Sequence, residues 1–281
     1  MHRLRYASPT GEAVELDSLS VSVGTANDMR ASEWAYKMAS SGAITGLHRQ
    51  AQAVKATLSA GDLAEADRLC SLFDGDVASY KDRGAAYLDS DGWRQSALVV
   101  HVNPSKVTPF GVVLTLTVLL LDGVWRRVTA VHFKPGSADG ESTTGLDFPT
   151  DFQFDYAGTS RSSQVSSVSS GGCLARLTFF GPCSNPYCRI GRNVYRVNAS
   201  ADAGERIVID PTRRRTLGGS VYRVGLFGER TNLYGSRGRG AQGSGSYVFE
   251  QLPAGRLDVS WPQSYGVDVE LIEERGVLPW S

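Results

Sequence analysis

The sequence predicts a mainly β protein with two domains: an N-terminal β-rich domain that contains one helix, and a C-terminal β-sandwich. The length of 281 residues exceeds the usual size of a single compact core. Apolar residues make up 41% of the chain, so each half can bury a core. Short runs rich in Val, Ile, Leu and Thr recur between Gly and Pro turns, as in antiparallel sheets.

Charge separates the two halves. Residues 1–157 carry 14 basic and 19 acidic side chains, a net charge of −5, whereas residues 158–281 carry 15 and 10, a net charge of +5. All lysines lie in the first part, and every basic residue of the second part is arginine. A change this sharp indicates two separately folded units. The overall charge of zero argues against a protein that coats nucleic acid.

Composition places the boundary between residues 134 and 172. We expect an N-terminal domain over 1–145, a connecting segment over 146–172 and a sandwich over 173–281. Ser/Gly-rich stretches, which have little to bury, lie on both sides of an acidic aromatic arm. Its rings alternate with aspartates and are candidate assembly contacts: Phe148, Phe152, Phe154 and Tyr156.

The N-terminal domain is predicted to open with a short strand, a turn at Pro9–Gly11 and a strand over Glu12–Leu16. One helix follows, because Asp62 and Glu65 have the spacing of a capping box. After this capping box, apolar residues recur along the sequence at intervals of three and four. Asp74-Gly75 is expected to end the helix.

Two buried strands are predicted next, Ala97–Asn103 and Gly111–Leu121, joined by a turn at Pro104-Ser105. The C-terminal half is expected to contain strands and turns without a helix. Its predicted strands are Cys173–Phe180, Tyr187–Ile190, Val194–Asn198, Arg206–Asp210, Val221–Phe227, Ser246–Glu250, Arg256–Trp261 and Gly266–Glu273. Turn signals at this spacing are typical of a sandwich.

The search for chemistry predicts no enzyme, no cofactor and no metal site. A nucleophilic Cys or Ser needs a His base, and the C-terminal half has no His; His101 and His132 lie in strand-like segments and are better read as core or surface residues. Cys173, Cys183 and Cys188 fall short of the four ligands of structural zinc. The GxGxxG pattern at 238–243 precedes no helical segment and is expected to be a loop between strands.

Membrane insertion is not expected either, because the longest apolar run, Val112–Leu121, is too short for a spanning helix. The first residues lack a signal-peptide pattern, which predicts synthesis in a cytoplasm. Two alternatives stay open. Trp261, Tyr265 and Trp280 either stack on sugars, or Trp261 and Tyr265 close the sandwich and Trp280 packs at the C-terminus. Residues 213–215, three arginines in a row, form either a solvated turn or a surface for an acidic partner.

Five segments, taken in order, resemble one family. They read GLDFPTDFQFDYAG, GPCSNPYCRIG, GERIVIDPTRRRT, YVFEQLPAGRLDVSW and VELIEERGVLPW, and they lie within residues 145–280. In this order they are similar to the arm and C-terminal domain of the distal tail proteins of long-tailed, siphovirus-type bacteriophages. The N-terminal half, ending in LDGVWRR at 121–127, resembles the family's belt domain more loosely.

The resemblance implies a structural virion protein at the tip of the tail, made in the host bacterial cytoplasm. The belt domains would form a ring, typically hexameric, and the galectin-like sandwiches would project from it. The implied partners are further copies of the chain, the tail tube protein, the tail-associated hub or fibre proteins and the tape-measure protein, with no membrane and no sequence-specific nucleic acid. The alternative is a carbohydrate-binding module of the tail tip that contacts host cell-wall glycans.

Overall fold

The structure, a computed structural model, describes residues 4–16, 18, 21–23, 33–136, 163–167, 171–213 and 219–278. The chain forms two compact units. The first contains the residues up to Arg127 and those from Glu274 onward, and the second contains Val128–Glu273. The predicted mainly β fold class is confirmed, with one α-helix among the described residues.

The first unit consists of antiparallel strands and the helix α1 (Leu63–Arg83). Its strands are β1 (Leu4–Ala7), β2 (Ala13–Glu15), β3 (Val21–Val23), β4 (Ala35–Met38), β5 (Ile44–His48), β6 (Gln52–Ala60), β7 (Ala86–Ser90), β8 (Trp93–Thr108), β9 (Gly111–Leu120) and the start of β10 (Trp125–Phe133). The long strand β8 belongs to two arrays. Its first part pairs with β7, which pairs in turn with β1, and β1 with β2. Its later part pairs with β9, which pairs in turn with β6, and β6 with β3.

The core of the first unit lies under α1. Alternate residues of β9 are buried, as the period of two along a strand requires. Leu58 of β6 and Leu114 of β9 face each other across the two strands and are almost fully buried. On the helix, Leu69 and Phe73 are buried in the same cluster, one turn apart on one face.

The helix begins where the sequence predicts and ends later. The Asp62 side chain accepts a hydrogen bond from the Glu65 backbone N–H at 2.7 Å, as an N-cap does. The helix then continues through Gly75 to Arg83, so the predicted end at Asp74-Gly75 is wrong. It ends at Gly84, whose φ of 86° is one that glycine adopts without strain.

The predicted turn at Pro104-Ser105 is also wrong. Strand β8 continues through it with a register shift between Pro104 and Lys106. A bulge tolerates proline because one residue there leaves the ladder. The chain reverses after Thr108, which pairs with Gly111 on β9.

The second unit is a β-sandwich. Its strands, besides the later part of β10, are β11 (Gln164–Ser167), β12 (Leu174–Phe180), β13 (Cys183–Ser184), β14 (Tyr187–Ile190), β15 (Asn193–Arg196), β16 (Ser200–Ala201), β17 (Arg206–Ile209), β18 (Val221–Val224), β19 (Arg230–Asn232), β20 (Gly255–Ser260) and β21 (Val267–Arg275), of which the last two residues belong to the first unit. One sheet has the order β19-β18-β17-β12-β21 and the other β11-β20-β14-β15. Buried residues of both sheets, among them Phe179 and Tyr195, form a single core.

Three predictions for this unit are corrected by the structure. Ser246–Glu250 is not a strand: Tyr247 forms an isolated bridge with Arg239, and the chain turns again directly after it at 248–249. Strand β18 stops at Val224, three residues before the predicted end at Phe227. A short 3-10 helix also occurs at Tyr234–Ser236, where no helix was expected.

Candidate assembly surface

Strands β4 and β5 form a hairpin that pairs with no other strand among the described residues. Its turn is closed by two backbone hydrogen bonds, from Ala39 N–H to the Ala43 carbonyl at 2.8 Å and from Gly42 N–H to the Ala39 carbonyl at 2.9 Å. Gly42 has a φ of 80°, which a side chain would strain. The sequence Ser-Ser-Gly-Ala between two short apolar runs therefore gives a tight reversal.

One face of this hairpin is apolar and uncovered. Tyr36 pairs with Leu47 and Met38 pairs with Ile44, so these four side chains share a face. Each of them is between 57% and 64% exposed. We call this set the hairpin face. A two-stranded hairpin is marginal by itself in water, and burial of the hairpin face would add about 1 kcal/mol or more per side chain. The hairpin face therefore has the character of a contact surface.

Two loop tips also expose large apolar side chains. Phe110, at the reversal between β8 and β9 in the first unit, is 90% exposed. In the second unit Leu226 and Phe227 lie in the turn between β18 and β19, and Phe227 is 96% exposed. The turn is held by the Glu229 carboxylate, which accepts a hydrogen bond from the Phe227 N–H at 3.1 Å. Both tips present an apolar side chain on an ordered turn.

The predicted contact residues are placed as follows. Phe148, Phe152, Phe154 and Tyr156, as well as Trp280, lie outside the described residues. Tyr265 is buried; its hydroxyl accepts from the Tyr187 N–H at 2.8 Å and donates to the Tyr187 carbonyl at 2.9 Å. Burial raises the pKa of Tyr265 to about 12. Trp261 is half-buried and donates its indole N–H to the Tyr265 carbonyl at 2.9 Å. These positions favour the role of closing the sandwich.

Two histidines and the four cysteines can be placed in the structure. His101 is exposed on β8, and His132 is a surface residue whose Nδ1 lies 2.7 Å from an Asp268 carboxylate oxygen. Burial raises the pKa of all four cysteine thiols, to about 12 for Cys188, so each is protonated at neutral pH.

Among the described residues, no group of three or more His, Cys, Asp or Glu side chains is placed to hold a metal ion. No helix in the described part of the chain combines the length and apolar character needed to cross a membrane.

The hairpin was missed by the sequence analysis. Tyr36 and Met38 alternate with Ala35 and Lys37, which is a strand signal, and the Ser-Ser-Gly-Ala turn follows at once. The pattern could have identified the hairpin. It could not have shown that its apolar face is left uncovered, because that depends on where the rest of the unit packs.

Comparison with known proteins gives matches at the level of structure. No protein-family model and no curated protein sequence matches the chain. A chain of the phage P2 baseplate in its activated conformation with Ca matches with a TM-score of 0.54 and 9% identity over 99% of this chain and 100% of that one.

The SPP1 Dit protein (gp 19.1), described as a paradigm of the hub adsorption apparatus in phages that infect Gram-positive hosts, also matches. Its TM-score is 0.52 and its identity 9%, over 98% of this chain and 99% of that one. These matches cover both units, and the predicted resemblance is confirmed at the level of the fold. The chain therefore has the fold of a phage distal tail protein.

Proposed function

We propose that this protein is a structural component of a phage tail tip, where copies of it form a ring that joins the tail tube to the host-adsorption hub. The observation that carries the proposal is the hairpin face, on a chain whose fold matches a baseplate chain and a hub adsorption protein along nearly its whole length. The role is one of assembly, without catalysis.

The hairpin face explains how such a ring would be held. In a ring, each copy offers one surface to the neighbour on one side and a different surface to the neighbour on the other. A hairpin with an uncovered apolar face suits such a head-to-tail contact, because a second copy can bury what its own unit leaves exposed. We propose that the first unit forms the ring, six copies closing it as in the resembling family.

The remaining surfaces of the ring would meet the other tail components. We propose the tail tube protein on one side and the hub or fibre proteins on the other, with the tape-measure protein passing through the opening. The exposed Phe110 and Phe227 are available for such contacts, since each lies on an ordered turn.

The test is the assembly state of the full-length protein and of the double variant Y36S/L47S. The mass of one chain is 30.2 kDa. We expect the parent protein to give a closed oligomer by light scattering at tens of micromolar. Y36S/L47S is expected to shift to the monomer, because serine removes two large side chains from the hairpin face. Both residues are more than half exposed, so the circular dichroism spectrum, which reports the fold of each chain, should stay close to that of the parent.

The matched control is L226S/F227S, which removes two exposed apolar side chains from the second unit. It is expected to assemble like the parent. A parent protein that is strictly monomeric would refute the ring. A ring that survives Y36S/L47S, or one lost equally in the control, would refute the assignment to the hairpin face.

A further inference from the structure

The outer face of one sheet of the second unit carries a polar groove. It is formed on β12, β17, β18, β19 and β21, and its volume is about 470 Å³. Its lining is Arg176, Thr178, Phe180, Arg206, Val208, Asp210, Arg213, Tyr222, Arg230, Asp268 and Glu270. The core of the sandwich lies on the other face of this sheet.

The carboxylates of the groove already have partners. Arg176 lies 3.3 Å from an Asp210 oxygen through Nε and 2.6 Å from a Glu270 oxygen through Nη1. Asp268 faces His132 at 2.7 Å. Glu270 and Asp268 remain partly exposed, so each still has oxygen lone pairs that can accept further hydrogen bonds.

Three arginines of the groove have no carboxylate partner among the described residues: Arg206, Arg213 and Arg230. Two of them are held by one ring. The guanidinium carbon of Arg213 lies 5.4 Å, and that of Arg230 5.0 Å, from the centroid of Tyr222. A cation–π contact positions a guanidinium without neutralising its charge or using its N–H donors. Among the described residues, these donors therefore have no carboxylate partner and can bind an anion.

The pairing of the strands brings the third arginine to the same place. Val208 of β17 pairs with Tyr222, and Arg206 pairs with Val224, two residues further along β18. Arg230 pairs with Val224 from the other side. Arg206 and Arg230 thus flank one position of β18, next to the Tyr222 ring. The backbone pairing therefore places these two residues at one level of the sheet, on the strands either side of β18.

We propose that this groove binds an acidic saccharide, a chain of hydroxylated rings that bears carboxylate or phosphate groups. The arginines would hold the acidic group through charge-assisted hydrogen bonds, which are bidentate for both anions. The exposed oxygens of Asp268 and Glu270, with the Thr178 hydroxyl, would accept from sugar hydroxyls. Phe180, which is 37% exposed, offers an apolar surface for one ring face.

A saccharide suits the groove better than an acidic peptide does. An acidic side chain would use only the arginines, and it would meet three carboxylates nearby. Few apolar groups of the lining could anchor a peptide residue, because Val208 is buried and the Tyr222 ring already contacts Arg213 and Arg230. A ligand that brings both an anion and many hydroxyl donors uses the arginine donors as well as the carboxylate and hydroxyl acceptors of the lining.

Isothermal titration of the full-length protein tests the proposal with four probes. Hexagalacturonate supplies the carboxylate form and a phosphorylated mannose oligosaccharide the phosphate form. Maltohexaose is the neutral comparison, and hexaglutamate is the acidic peptide. We expect at least one acidic saccharide to bind with an affinity that falls as NaCl rises, while maltohexaose and hexaglutamate bind at least about tenfold more weakly.

The variant R213Q/R230Q should weaken that binding by about tenfold or more, because it removes two charge-assisted donors. The matched control R189Q/R256Q removes two exposed arginines from the opposite sheet of the same unit and should change the affinity less than about twofold. If R213Q/R230Q melts well below the parent, R206Q alone serves instead, since its side chain is exposed at the end of β17.

Four results would overturn the proposal. The first is that neither acidic saccharide binds. The second and third are that maltohexaose binds as tightly as the acidic saccharide, or that hexaglutamate binds as tightly or more tightly. The fourth is that R189Q/R256Q loses as much affinity as R213Q/R230Q. The last would mean attraction by the overall charge of the unit. The inference does not depend on the ring, because the groove is formed within one chain.

Discussion

Asp76 shows how a single residue overrides a local signal. It follows Asp74-Gly75, a pair that normally ends a helix, yet the helix continues. Asp76 is 1% exposed and accepts hydrogen bonds from the Tyr6 hydroxyl at 2.8 Å and the Ser8 hydroxyl at 2.6 Å. Burial together with this carboxylate raises the pKa of Tyr6, so the hydroxyl keeps its proton. These contacts attach β1 to the helix and favour its continuation.

We predict that D76A lowers the free energy of unfolding by about 2–3 kcal/mol, since two buried hydroxyls lose a charged acceptor. Urea denaturation followed by circular dichroism measures it. D67A, an exposed aspartate of the same helix, should change stability by less than about 0.5 kcal/mol. Equal effects of the two variants would mean that the buried contacts contribute nothing beyond helix propensity.

At the scale of the element, the continuation of α1 makes Gly75 an interior helix residue. It is exposed, and a Cβ placed there would meet no atom within 4 Å. Glycine in a helix costs backbone entropy that alanine does not. The local sequence thus weakens the helix at a point where its tertiary contacts hold it.

G75A is therefore predicted to stabilise the protein by about 0.5–1 kcal/mol, which a rise in the urea midpoint at unchanged slope would show. The comparison is G84A, at the end of the same helix. Gly84 has a φ of 86°, where an alanine is strained, so G84A should destabilise. If G75A destabilises instead, the helix ends before residue 75 in solution.

At the scale of the whole molecule, the proposed ring depends on more than the hairpin. The arm, with Phe148, Phe152, Phe154 and Tyr156, lies outside the described residues, and its role stays a prediction from the sequence. Four aromatic rings within eleven residues would expose much apolar surface in a free linker. Arg126 is a basic side chain that could pair with the aspartates of the arm. It already forms ion pairs with Asp122 and Glu274.

We expect F152S/F154S to weaken the assembled ring, because it removes two of the four rings that would pack on protein. Light scattering across a dilution series compares it with the parent, and limited proteolysis reports on the arm. S160A/S162A, in the neighbouring Ser-rich stretch, is the control and should behave like the parent. An F152S/F154S protein with the same mass and the same digestion rate would show that the arm is only a tether.

The sequence by itself determined the features that depend on neighbouring residues. The two charge-separated halves, the mainly β class, the N-cap at Asp62 and most strands of the sandwich were predicted from patterns and turn residues, because these signals act over a few positions. The resemblance of the chain to phage distal tail proteins was visible in short segments for the same reason. The bulge at Pro104 and the late end of α1 were not predicted, since contacts with distant strands decide them.

Only the tertiary structure decided which surfaces are left open. The hairpin face is uncovered because no other described strand packs on β4 and β5, and no local pattern records that. The groove arose in the same way. Arg213 and Arg230, which lie in a turn and on β19, meet at the Tyr222 ring. The pairing of β17, β18 and β19 places Arg206 and Arg230 on either side of Val224. Such sites depend on backbone hydrogen bonds between distant segments, whose partners a sequence read locally does not specify.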